Sequence, residues 1–162
     1  TKSYSAEAKL YQTAKQGTVP MNSKEMAEKV ASKILELDET CRSMGVCLEH
    51  VNKGTATLSL KIKQQHINGH GICHGGIIFT LSDSAFAFAC NSRNVASVAQ
   101  HANVSFLIPA KLGDRLFATA KEISLIKRNG IYDVTVTNQN ADVIAEFRGY
   151  SRTIKGSVLK EN

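Results

Sequence analysis

The chain reads as an α+β protein, an antiparallel sheet of about six strands wrapped around one long central helix. Three observations predict this. From Gly54 the residues alternate strictly, with Ala56, Leu58, Leu60 and Ile62 on one face and Thr55, Thr57, Ser59 and Lys61 on the other, the period of a half-buried strand. Residues 74–91 are apolar around most of a helical circumference, so a helix there must be buried on most sides. Beyond it come four more strand-like segments, separated by turn residues.

Residues 1–20 are polar, poor in large apolar side chains, and end in Thr18-Val19-Pro20 before Met21. They form an N-terminal appendage, either a flexible extension or a helix, ahead of one domain over 21–162. Asn22 with Glu25 makes a capping box, and Met26, Val30, Ile34 with Ala31 and Leu35 recur at helical spacing, predicting a helix of about twenty residues that ends near Gly45. Residues 46–51 make a strand that Asn52-Lys53-Gly54 turns into the alternating one. After the central helix, strands over 95–107, 114–126, 131–138 and 143–154 follow in meander, with turns at Pro109, Gly113, Asn129-Gly130 and 138–142. A six-stranded antiparallel sheet holding an apolar helix on its concave face is the hotdog architecture. Its exposed edge needs a partner, which predicts a dimer that continues the sheet, doubled into a tetramer.

Composition narrows the function. A chain of 162 residues suits a single core, and no stretch approaches the ~18 apolar residues of a membrane span. The first twenty residues lack the apolar core of a secretory signal, which points to the cytoplasm. Cys41, Cys47, Cys73 and Cys90 are irregularly spaced, indicating neither a disulfide framework nor a zinc site. The net charge of +6 is scattered. Without a basic stripe interleaved with aromatics, nucleic-acid binding is unsupported, whereas a small polyanion such as a nucleotide or coenzyme A is served equally well.

The chemistry gathers at NGHGICHGG, from Asn68 to Gly76, and at Asp83 inside the apolar helix. His66, His70 and His74 recur every four residues, but Asn68, Gly69 and Gly71 disfavour the helix that would align them on a metal. A dinucleotide fingerprint fails because G-x-G-x-x-G is out of register and no βαβ unit surrounds it. An oxyanion hole is the third reading: the N–H of Gly75 or Gly76, at the first turn of a buried helix, faces a carbonyl oxygen as it becomes negative. A loop that merely lets helix and sheet pack closely is the plain alternative, and the loop alone does not choose. Asp83 tips the balance, since a carboxylate one turn from Phe79, Phe86 and Ala87 is costly unless hydrogen-bonded or facing a cleft. A structural acid stays open; a general base with a raised pKa fits better.

Gly75 and Asp83 are eight residues apart on one helix, roughly 12 Å at about 1.5 Å per residue. A base acting through one water needs to be much nearer the reacting carbon. If both groups serve one carbonyl, they come from facing chains, and the site is composite.

The residues Asn68-x5-His74-Gly75-Gly76-x2-Phe79-x-Leu81-x-Asp83-x-Ala85-Phe86-Ala87-x-Ala89-x-Asn91 resemble the hotdog acyl-CoA thioesterases of the phenylacetate-degradation (PaaI) type. The likeness runs from about Met21 to Ile154 and includes Gly130-x-Tyr132-Asp133 and Phe147-Arg148-Gly149. It implies hydrolysis of an acyl-CoA, most readily one with an aromatic acyl group, in a tetramer of two dimers, with no cofactor beyond the coenzyme A of the substrate. It further implies that Asn68 positions the thioester or the water, the Gly75 N–H binds the oxyanion, His74 shapes the loop, and Asp83 is general base or nucleophile. Gly76 and Phe79 would line the substrate; Lys127, Arg128 and Arg148 would meet coenzyme A phosphates through charge-assisted bonds. The main rival is a non-catalytic hotdog that binds acyl-CoA as sensor or carrier, which has no need of a buried acid beside the thioester. A hydratase, with a His placed to move a proton at carbon, ranks third.

Overall fold

The computed structural model describes residues 21–160; the expected N-terminal appendage lies outside the described residues. Asn22 starts the first helix, α1 (Ser23–Leu37): its Oδ1 accepts from the N–H groups of Lys24 and Glu25 while Glu25 accepts from the Asn22 N–H, the expected capping box. The helix does not run on to Gly45. Asp38 breaks it, its carboxylate accepting from the Cys41 N–H at 2.8 Å to cap a second helix, α2 (Glu39–Met44). A short acidic side chain that satisfies free amides competes with helix continuation. Gly45, at φ +84°, closes α2 in the left-handed conformation that glycine tolerates.

Two strands, β1 (Cys47–Asn52) and β2 (Thr55–Lys61), then form a hairpin, and one 3-10 turn (Gln64–His66) leads into the loop before α3 (Gly75–Asn91). Strands β3 (Ser97–Phe106), β4 (Arg115–Ile126), β5 (Asn129–Thr137) and β6 (Val143–Thr153) complete one antiparallel sheet of order β1-β2-β4-β5-β6-β3. Six strands around one long helix are as expected; the meander of four is not. Of those four, only β4, β5 and β6 are consecutive neighbours, and β3 pairs with β6 at the far edge. The connection after Phe106 carries the chain across to β2, so β4 fills the place next to β2 that a meander would have left empty. The turn between β4 and β5 is Lys127-Arg128, two residues before the expected Asn129-Gly130.

The alternating positions do what their period requires. Leu58, Leu60, Leu116, Ala118, Val134, Val136, Ala145 and Phe147 face α3 and are buried. Ile78, Leu81, Ala85, Phe86, Phe88 and Ala89 return the contact from the helix. At its far end Asn91 donates to the Ser97 carbonyl and accepts from the Ser97 N–H, fixing where β3 starts. Nearby, Arg93 holds Glu122 through two bonds of 2.7 and 2.9 Å, and the Tyr132 hydroxyl donates to the same carboxylate. These bonds satisfy the buried phenol that anchors the sheet to the end of α3.

The enclosure of α3 is incomplete. Gly76 is exposed, and Phe79, Thr80, Asp83 and Ala87 are half-buried along one side of the helix. This strip and the outer edge of β3 are left open by the chain.

Candidate active site

The loop from Asn68 to His74 is pinned by its own side chains. Asn68 Oδ1 accepts from the His70 and Ile72 amides at 2.9 and 3.4 Å, and the Asn68 N–H donates to the Ile72 carbonyl. The carboxamide oxygen is thereby committed to the loop, which leaves Nδ2 as the donor that can face a ligand. Two further ties fix the approach to α3: the Cys73 N–H donates to the Ala110 carbonyl and the His74 N–H to that of His66, both at 2.8 Å.

His74 is the N-cap of α3. Its Nδ1 accepts from the Gly76 N–H at 2.9 Å, so of the two glycine amides weighed as oxyanion donors, that of Gly76 is taken. The Gly75 N–H has no protein acceptor among the described residues. It lies at the positive end of a 17-residue helix, where an anion is favoured. The three histidines do not converge: His66 is buried with Nδ1 accepting from the Lys63 amide, His70 is exposed, and His74 caps. Among the described residues no group of three His, Cys, Asp or Glu side chains is placed to hold a metal ion.

Asn68 and Gly75 open into one cleft of about 310 Å³, walled by Ile72, Ile78, Phe106 and the segment 107–110. That volume is at the small end for ligand sites and suits an acyl group rather than a whole nucleotide thioester. Phe106 to Ala110 were not among the expected site residues. Their one sequence signal is an apolar run at the end of a strand, which reads equally well as core.

Asp83 does not line this cleft. It sits two turns along α3, half-buried, with no hydrogen bond or ion pair to the described residues, and burial pushes its carboxyl above the usual carboxylate range. Phe79, one turn before it, packs edge-on against Phe147 at 5.4 Å. Phe79 and Asp83 therefore belong to the open strip, and Asn68 and Gly75 to the cleft.

The three basic residues are placed elsewhere. Arg128 donates through Nε and Nη2 to the Thr153 carbonyl, fastening a strand end. Arg148 makes a two-pronged pair with Asp133 at 2.6 and 2.7 Å, and its neighbours Phe147 and Gly149 face α3, so its own side chain is on the outer face of the sheet. Lys127 shares its turn with Arg128, at the far end of β4 from Arg115, roughly 35 Å away at about 3.3 Å per residue. None of the three lines the cleft.

A six-stranded antiparallel sheet wrapped on a helix whose first turn opens into a cleft defines a hotdog-fold protein. Residues 70–145 match the family model described as thioesterase superfamily. Acyl-coenzyme A thioesterase PaaI of Escherichia coli is 38% identical over 131 residues, which are 81% of this chain and 94% of that protein. Its solved structure, from the phenylacetic acid degradation operon, superposes with a TM-score of 0.83 at 37% identity, covering 84% of this chain and 99% of the other. Human acyl-coenzyme A thioesterase 13 is 32% identical over 59% of this chain and 70% of its own length. The chain belongs to the thioesterase superfamily, and is a thioester hydrolase. No described helix is long and apolar enough to cross a membrane.

Proposed function

We propose that this protein hydrolyses acyl-CoA thioesters, with aromatic acyl groups of the phenylacetyl kind preferred, at a site assembled from two copies of the chain. What carries the proposal is the separation on α3 of a free N–H in an apolar cleft from an unpartnered, half-buried carboxylate. The acyl group enters the cleft of one protomer, and its carbonyl oxygen accepts from the Gly75 N–H while Asn68 Nδ2 holds the thioester or the water. Asp83 of the facing copy takes a proton from water as the oxygen attacks the carbonyl carbon. The tetrahedral intermediate collapses with cleavage of the C–S bond, and the departing thiolate of coenzyme A is protonated to the thiol. Asp83 acting instead as nucleophile, through an anhydride that water then opens, is the second reading; the raised pKa favours the base.

His74 holds the loop, and Gly76 and Phe79 border the substrate on the open strip. Among the basic residues, Lys127 is the best candidate for a phosphate, since Arg128 and Arg148 are already engaged. The dimer forms along the open strip and the edge of β3, and pairs of dimers make a tetramer. A cytoplasmic setting supplies acyl-CoA, and no cofactor is needed besides the coenzyme A of the substrate. The names and operon of the PaaI relative, and the small apolar cleft, support the aromatic preference.

The test is thiol release from a panel of acyl-CoAs. Expected is turnover with kcat/KM highest for phenylacetyl-type groups. Equal rates for straight-chain thioesters would remove the aromatic preference; tight binding without release from any thioester would favour a sensor or carrier.

A further inference from the structure

Phe106 is the last residue of β3 and is 53% exposed, with the end of its ring turned onto the start of α3. Its Cζ, Cε1 and Cε2 atoms lie 3.1, 3.4 and 3.4 Å from where a Cβ on residue 75 would be, so the end of the ring rests on Gly75 itself. The backbone beneath it is held: Phe106 pairs with Ala145, and the Leu107 and Ile108 amides both donate to the Ile144 carbonyl, at 2.8 and 3.3 Å. Ile72 and Ile78 are further apolar walls of the same cleft.

A carbonyl oxygen accepting from the Gly75 N–H sits about 2.9 Å from that nitrogen. The carbon next to the carbonyl is then about 2.4 Å from the same oxygen. A substituent on that carbon directed toward the Cα of Gly75 meets the end of the Phe106 ring, which borders the space a side chain at position 75 would have filled. We propose that Phe106 selects acyl groups by shape at this carbon, admitting a CH₂ and rejecting a branched centre. The inference rests on the thioesterase reading of the cleft and adds to it a residue that sets specificity.

The experiment compares isomeric pairs, butanoyl-CoA against 2-methylpropanoyl-CoA and 3-phenylpropanoyl-CoA against 2-phenylpropanoyl-CoA, in the parent and in Phe106→Ala. One misplaced methyl group in a close-fitting apolar pocket changes kcat/KM by about tenfold or more, and the parent should favour the unbranched member by that much. Phe106→Ala should narrow the ratio to within about threefold, with kcat/KM of the branched member rising relative to that of the unbranched one. A parent that does not discriminate, a ratio unchanged in Phe106→Ala, or equal loss on both members overturns the proposal. If the alanine variant does not fold, Phe106→Leu carries the same comparison. If the parent releases no thiol from any thioester, the hydrolytic reading fails by itself. The ratio of dissociation constants for branched and unbranched non-hydrolysable thioether analogues then decides the role of Phe106.

Discussion

Asp83→Asn should lower thiol release from acyl-CoA by roughly 10²- to 10⁴-fold, the range lost with a positioned general base. The amide keeps the size of the side chain and removes its ability to take a proton, so KM should change little. The same substitution should make the protein more heat-stable at neutral pH. Burial raises the folded pKa of Asp83 above its unfolded value, so the folded state holds the proton more tightly. The associated stabilisation is present below the unfolded pKa and is lost as pH rises through the folded one, leaving a carboxylate that is poorly solvated at pH 7. Asparagine carries no such penalty. A thermal melt should therefore favour Asp83→Asn at pH 7, and the advantage should shrink as pH falls through the carboxylate range. In the parent, activity should climb with pH through a limb lying above the ordinary aspartate value. An Asp83→Asn protein with undiminished turnover removes this residue from the chemistry.

Gly149→Ala should cost about 1–3 kcal/mol of stability, the usual penalty of overpacking a filled core. Gly149 is in β6, between Tyr132 of β5 and Ala102 of β3. A Cβ there would lie 2.8 to 2.9 Å from three atoms of the Phe86 ring. That ring is 1% exposed and has no room to retreat, with Tyr132 edge-on at 5.5 Å and Phe147 tilted at 6.0 Å. The strand is bonded on both sides and cannot move outward alone. The melting temperature should fall by several degrees, while Gly69→Ala, with nothing within 4 Å of the new methyl, should leave it unchanged. Equal melting of the two variants would mean that the core around Phe86 is looser than its contacts indicate.

Most elements and the hairpin neighbours were legible in the sequence, and the place of β3 was not. Alternation states which side of a strand faces the core, and β2, β4, β5 and β6 match that reading closely. It does not state which strand lies alongside, so the move of β3 to the far edge was invisible. The break at Asp38 was also missed, because its apolar periodicity continues to Leu35 and the competing cap is a single side chain. At the site, residue types singled out Asn68, Gly75 and Asp83 as candidates. Which glycine amide is free depends on the placement of the His74 ring in the fold, which occupies the Gly76 N–H and leaves that of Gly75 free among the described residues. Phe106 was hidden because a phenylalanine closing a strand carries no mark of facing a cleft. Arg148 looked available as a free charge until its position across from Asp133 showed it paired.

The composite site is the central claim, and mixing two inactive proteins tests it most directly. Asp83→Asn leaves the cleft intact, and Asn68→Ala leaves the carboxylate intact. If one active site takes Asn68 and Gly75 from one copy and Asp83 from the other, each mixed dimer contains one site with both lesions and one with neither. Co-refolding equal amounts should then restore up to about a quarter of parental thiol release, from about half of the dimers carrying one sound site each. A mixture as inactive as its components, with mixed dimers shown to form, would contradict it and return both groups to a single chain.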